Sequence, residues 1–317
     1  MQSLQTIKRR LRGVKSIEQI TKAMELVAAT KMRRSQGVAL DSRPYAYAAL
    51  ELLANVSEAV VGYTPKLLEK RPVKTTAVVV VASDKGLTGS FNSAVFRAYE
   101  KNFGDRISDN YSHIAVGQKA VSYLTRKVGV VEQAFVKFGD YTTIDEVRPL
   151  ADFLIDGYLE CRWDEVLVIA TNFKSALSQG VIQRRVLPVD MESITQIAEE
   201  IIPKTGRFAD MVRQSGFGFF QKAHVSGSPL GREYIIEPSP QIVLDTIIPY
   251  LVRMQVYHII LEANASEHAA RRLAMKNASD NASEIVDNLT LEYNKSRQAN
   301  ITRELIEITG GVEAISH

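Results

Sequence analysis

The stretch "SDKGLTGSFN", residues 83–92, sets a carboxylate, a lysine, three hydroxyls and two glycines directly behind the apolar run "TTAVVVVA". A buried strand emptying into a glycine-containing turn is a common way to build a phosphate cradle, because glycine lets backbone N–H groups close on an anion. The spacing argues against that use. "GLTGSFN" is neither G-x-x-x-x-G-K-[ST] nor G-x-G-x-x-G, and Lys85 precedes the glycines instead of following them. Other chemistry is equally thin. His113, His224, His258, His268 and His317 show no metal-ligand spacing, and Cys161, the only cysteine, excludes an intramolecular disulfide and a multi-thiolate zinc site. The carboxylates of "DEVRPLADF" do not mark a general acid–base pair. No binding of a cofactor or metal by this chain is expected.

Charge is the second feature with chemical content. The net charge of +3 over 317 residues is small, but it is unevenly placed. Residues 1–36 hold nine Lys/Arg against Glu18 and Glu25 (+7), whereas residues 262–313 hold nine acids against six bases (−3). The two ends are electrostatically complementary. Within the basic end, "KMRR" at 31–34 has no interleaved aromatics, so base stacking is not expected there and a solvated face is the plainer reading. A coiled-coil nucleic-acid binder using residues 8–34 is nevertheless one alternative function, and a coiled-coil α/β enzyme using a nucleotide is another. No apolar stretch reaches the ~20 residues of a membrane span, and "MQSLQTIKRRLRG" lacks the apolar core of a secretory signal.

The elements that hold these residues divide the chain in three. In residues 1–61, Ile7, Leu11, Val14, Ile17, Ile20/Thr21, Met24, Val27/Ala28 and Lys31 recur every three or four residues, a narrow stripe close to a coiled-coil seam. Gly13, Gly37 and Pro44 interrupt it, and Pro44 predicts a bend or a helix restart. On spacing alone Met24, Leu26 and Met275 read as core packing. Residues 73–236 change character. "TTAVVVVAS", "SHIAVG", "GVVEQAFV", "DEVLVIATNF" and "VIQRRVLPV" read as strands, with "SAVFRAYEKNF", "QKAVSYLTRKV" and "TIDEVRPLADFLIDGYLE" as helices between them. That alternation predicts a mainly parallel sheet faced by helices, its last two strands forming an antiparallel hairpin at an edge. Within 191–233, "SITQIAEEII" suggests a short helix, and "GFGFF" and "VSGSPLG" suggest loop. Residues 237–317 read as one helix: from Tyr250 to Thr309 no glycine or proline occurs, roughly 90 Å at helical rise. Gly310-Gly311 is expected to end it as a left-handed cap. A helix of that length needs a neighbour, and the basic N-terminal helix is the obvious one.

Three stretches resemble one family, the bacterial-type gamma subunit of the F-type ATP synthase. "IEQITKAMELVAATKMRRSQ" is similar to its N-terminal signature. "SDKGLTGSFN" is similar to its glycine-containing element, with Thr88 where the family often has cysteine. "ASEHAARRLAMKNASDNASEIVDNLTLEYNKSRQANITRELIEITGG" is similar to its C-terminal signature. The resemblance covers both ends and the inserted domain, but not 191–233. It implies an α/β protein: a long antiparallel coiled coil of the N- and C-terminal helices with an inserted Rossmann-like domain. The implied function is the central-stalk rotor of a proton-translocating ATP synthase, without an active site of its own. The implied partners are the alpha, beta, epsilon and delta subunits and the membrane ring of c subunits, with ATP, ADP and Mg bound by partner subunits. Membrane association is then peripheral, through the complex, on the cytoplasmic face of the cell membrane. By the same resemblance Met24, Arg271, Arg297, Gln298, Thr302 and Glu304 are the shaft contacts to alpha and beta, with Lys22 and Lys31 as weaker candidates. Asp84, Lys85, Gly86, Gly89 and Asn92 would be foot contacts to epsilon or the c ring.

Overall fold

The run Thr76–Val81 forms β1, and every one of its residues is buried, because both of its faces are covered. Strands buried on both faces need apolar, β-branched side chains throughout, which is what the four consecutive valines supply. The computed structural model describes residues 3–41, 63–104, 110–139, 142–176, 178–189 and 237–315. The expected bend or helix restart at Pro44, the N-terminal helix up to residue 61 and the expected helix and loops of 191–233 lie outside the described residues.

The described elements run in the order α1 (Leu4–Asp41), β1, α2 (Phe91–Phe103), β2 (Tyr111–Val116), α3 (Gln118–Lys127), β3 (Gln133–Phe135), α4 (Ile144–Leu159), β4 (Glu165–Phe173), β5 (Gln179–Leu187) and α5 (Pro240–Ile315). They form a five-stranded sheet in the order β3-β2-β1-β4-β5. β1 pairs in parallel with β2 and β4, β2 pairs in parallel with β3, and β5 closes the edge antiparallel to β4. Alternate residues of β1 serve two cores. Ala77, Val79 and Val81 pack with α4 (Leu150, Leu154, Tyr158) and with α5 from Leu244 to Ala263. Val78 and Val80 pack with α2 and α3 (Val95, Tyr99, Leu124).

The second core contains a buried polar pair, Tyr99 Oη and His113 Nε2 at 2.8 Å. Burial holds His113 below the ordinary histidine range. The folded protein therefore resists a proton that the unfolded chain takes up. The stability tied to this site is complete above the unfolded pKa of ~6.5 and is lost as pH falls through the lower folded value. The melting temperature is expected to drop between about pH 7 and pH 5, with a shallower slope in His113→Gln. Equal slopes in differential scanning calorimetry would remove His113 as the cause.

α5 begins where Ser239 accepts from Ile242 N (3.3 Å) and Pro240 takes the first helical position, where its missing N–H costs nothing. It runs 76 residues, through Pro249 and through Gly310-Gly311 to Ile315. The expected left-handed cap is thus not formed. Glycine in a helix costs only ~1 kcal/mol relative to alanine, and no proline follows to force a stop. Gly13 and Gly37 likewise do not interrupt α1, which is continuous over 38 residues.

α1 and α5 lie side by side and antiparallel. Lys22 faces Asp280, while Ala28 and Lys31, further along α1, share a crevice with the earlier α5 residues Glu267 and His268. The inward positions of α1 are Leu4, Ile7, Leu11, Val14, Glu18, Thr21, Glu25, Ala28, Met32 and Ser35, spaced alternately three and four. Those of α5 follow the same rule from His268 through Arg272, Met275, Ser279, Ala282, Val286, Leu289, Tyr293 and Ser296 to Asn300. This is the 3.5-residue repeat of a coiled coil. It corrects the predicted stripe after Val14: Ile17, Ile20 and Val27 point outward, between 51% and 59% exposed, while the alternates Thr21 and Ala28 face inward; Leu26, read as core, is 60% exposed. The apolar residues there recur one position out of phase with the seam. Polar side chains turn inward in their place and are satisfied locally. Thr21 Oγ1 donates to Ile17 O or Glu18 O, and Glu25 accepts from Lys22 Nζ at 2.9 Å.

Candidate functional site

Two surfaces gather the residues the sequence singles out. The first is the outer end of α5. Residues 301–309 are exposed all round, because the seam with α1 has run out at Asn300. Arg297, Gln298, Thr302 and Glu304 sit on this end, exposed. Thr302 Oγ1 donates to the backbone Gln298 O (2.9 Å), one turn back along the helix. Around them Leu291, Ile301, Leu305, Ile306 and Ile308 are also exposed. A lone helix with this much bare aliphatic surface is built to be enclosed.

The second surface lies roughly 40 Å back along α5. Here the carboxyl ends of β1 and β2 meet the two long helices around a crevice of about 470 Å³. Met24 and Lys31 line it from α1, Arg271 from α5, and Asp84 and Lys85 from the loop after β1. The sequence assigned these residues to two different contact sets, and the fold places them together. Arg271 is half-buried, held by Glu267 Oε1 at 2.5 Å and by His268 Nδ1 at 3.2 Å. Lys22 stands outside the crevice, paired with Glu25.

The loop 83–92 folds back on itself. Asn92, on the first turn of α2, accepts from Ser83 N (3.0 Å) and donates to Ser83 Oγ (2.8 Å) and Thr88 Oγ1 (3.2 Å). Asp84 reaches outward from the loop: Oδ1 accepts from Gln118 N, the first residue of α3, and Oδ2 from Lys137 N, both at 2.9 Å. In open α/β sheets, ligand phosphates bind at the carboxyl ends of the strands, on such helix N-termini. In this chain a carboxylate of its own occupies that place. Asp84 is thus the anion at the N-terminus of α3. The glycines play unequal parts. Gly89 (φ 57) sits where a Cβ would come within 3.5 Å of Ala274 Cβ, so the loop rests on α5, whereas a Cβ at Gly86 would meet nothing within 4 Å. Lys85, Gly86 and Leu87 are the exposed crest.

Sequence reading misses Lys137, Phe138, Asn264 and His268, which complete the crevice. Asn264 Nδ2 donates to Thr142 Oγ1 (2.6 Å), tying α5 to the loop before α4. The one local signal was the i, i+4 spacing of Glu267 and Arg271.

The ATP synthase family model matches residues 3–315 of the chain. A protein named ATP synthase gamma chain from Roseiflexus castenholzii is 37% identical over 320 residues, covering 100% of this chain and 99% of that one. The gamma chain of Desulforamulus reducens is 35% identical over 315 residues, covering 99% and 100%. Among solved structures, a chain of the Euglena gracilis mitochondrial ATP synthase (OSCP/F1/c-ring) superposes with a TM-score of 0.62 at 19% identity, covering 98% of this chain and 94% of its own. A chain of the Tetrahymena thermophila mitochondrial ATP synthase central stalk and c ring gives 0.56 at 23% identity, covering 82% and 99%. At these identities the structural likeness is one of fold.

Proposed function

We propose, since the chain belongs to the ATP synthase family and to its gamma chains, that it is the central-stalk rotor of a proton-translocating F-type ATP synthase and has no active site of its own. One observation carries this reading furthest. α5 is at once a layer of the α/β core, from Leu244 to Ala263, and one strand of the coiled coil that continues beyond it. A torque applied to the α/β domain is therefore delivered to the shaft without passing through a hinge.

The α/β domain is the foot, resting on the epsilon subunit and the c ring, with Lys85 and Gly86 of the exposed crest and the neighbouring Gly89 as contacts and Asp84 and Asn92 shaping it from within. The shaft turns inside the alpha and beta subunits, which bind ATP, ADP and Mg. Coupling needs contacts that differ with angle, since a shaft equally at ease against every beta conformation shifts no equilibrium. Arg297, Gln298, Thr302 and Glu304 supply polar contacts of this kind at the outer end; near the foot Arg271 supplies a polar contact and Met24 an apolar one. Arginine suits the task because its planar fork makes and releases bidentate carboxylate contacts. Association with the membrane is peripheral, through the complex, on the cytoplasmic face; among the described residues no helix is long and apolar enough to cross a bilayer.

The test is reconstitution. Alpha and beta subunits are expected to show steady ATP hydrolysis only with this chain added, and the chain alone to show none. Gln298→Cys joined to beta by a disulfide, in a Cys161→Ser background because Cys161 is exposed, is expected to stop turnover until reductant is added. Hydrolysis by the isolated chain, or unchanged turnover with the cross-link in place, would overturn the rotor reading.

A further inference from the structure

Three lysines line the crevice between the strand ends and the shaft. Lys31, Lys85 and Lys137 reach it from three separate elements: α1, the loop after β1 and the loop after β3. Its acids are Asp84 and Glu267. Glu267 is paired with Arg271, and both oxygens of Asp84 accept backbone N–H groups. Neither Lys85 nor Lys137 has an ion-pair partner among the described residues, so their ammonium groups are donors without an internal acceptor. Behind them the wall is apolar, formed by Met24, Val27, Phe138 and Ile260. The volume of about 470 Å³ lies in the range of small-molecule sites.

Lys137 adds an independent observation. Its φ is 65°, in the left-handed region where a lysine is disfavoured and glycine is not. A long cationic side chain is thus held at a strained position on the rim of the crevice, where glycine would relieve the backbone.

We propose that this crevice binds a small phosphate-bearing anion, held by Lys85 and Lys137 at its mouth with Lys31 behind. Lysine binds phosphate as a point charge and needs no backbone cradle. The site is therefore compatible with Asp84 occupying the amides. A bound anion would join α1, the β1 loop and the β3 loop across the junction of shaft and foot. The phosphate could come from inorganic phosphate or from the tail of a nucleotide, both of which surround an ATP synthase.

Equilibrium dialysis of the purified full chain separates the cases, with inorganic phosphate, metal-free ATP and adenosine as probes. Saturable phosphate binding with a dissociation constant of about 1 mM or tighter is expected, in competition with ATP and not with adenosine. The double variant Lys85→Ala/Lys137→Gly is expected to weaken it at least ~10-fold. Glycine suits φ 65° at position 137, so loss of binding in that variant is not loss of fold, and circular dichroism confirms it. Lys127→Ala, whose lysine pairs with Glu100 elsewhere, should bind like the parent. Absence of saturable binding, equal binding by the double variant, competition by adenosine, or ATP binding that phosphate does not compete would each overturn the proposal. The assay needs no partner subunit, so its failure leaves the rotor reading untouched.

Discussion

Ala282→Pro is expected to abolish coupled turnover in the reconstituted complex, while removal of the residues after Thr309 leaves most of it. Ala282 is 5% exposed and occupies an inward position of α5, between Ser279 and Val286, facing α1. Proline there removes one helical hydrogen bond and drives its ring against the carbonyl of Ala278, at a cost of ~3 kcal/mol or more. The seam offers no slack, because alanine and serine at Ala282 and Ser279 let the two backbones approach closely. The geometric consequence is larger than the energetic one. About 40 Å of helix lies between Ala282 and Thr309, so a kink of about 25° would carry the outer end off axis by roughly 17 Å. Arg297, Gln298, Thr302 and Glu304 travel with it. The segment after Thr309, by contrast, lies beyond the seam with α1. ATP-driven proton pumping in vesicles and thermal melting measure the two effects separately. Pumping by Ala282→Pro equal to that of the truncated chain would show that a straight, continuous α5 is not required.

How far the sequence could be read follows from the range of the interactions involved. The strands and the helices between them are local patterns, and runs such as "TAVVVV" and "EVLVIATNF" announce themselves. The edge hairpin was legible because "KSALSQ" is too short for a crossover helix, and β4 and β5 do pair antiparallel. The phase of the coiled coil was not legible. Ile17, Ile20 and Val27 look like a seam, and only the partner helix decides that Glu18 and Glu25 face it, with Thr21 and Ala28 in place of Ile20 and Val27. Glycines misled in the same way: Gly13, Gly37, Gly310 and Gly311 are breakers by propensity, yet helices of 38 and 76 residues absorb them. Asp84 was singled out, but what it holds was not legible. Its two partners lie 34 and 53 residues away, and no window of local sequence contains that fact. The crevice needs four elements to exist and could not be read before the fold was known.

The loop on which shaft and foot meet depends on one backbone position, and Gly117→Ala is expected to cost roughly 2–4 kcal/mol of stability. Gly117 has φ 87° and ψ 146°, a combination that L side chains rarely adopt. A Cβ added there would stand 2.0 Å from Ala82 O, 2.9 Å from Ala82 C and 3.1 Å from Ser83 C. All three are backbone atoms, so relief requires moving the end of β1 and not merely a flexible side chain. That end is fixed from both sides: Ala82 N donates to Val116 O (2.9 Å), Gly117 N to Phe135 O (2.8 Å) and Lys119 N to Ser83 O (3.0 Å). Shifting it pulls Asp84 away from Gln118 N and Lys137 N, and α3 loses its cap along with the crest that Gly89 seats on Ala274. Gly86→Ala is the matched control in the same loop, since nothing lies within 4 Å of its added methyl, and it should stay within about 0.5 kcal/mol of the parent. Urea unfolding gives both values, and amide exchange at Gln118 and Lys137 reports whether Asp84 has let go. Should the two alanine variants unfold together with both amides still protected, the close approach at Gly117 would not be what holds the loop in place.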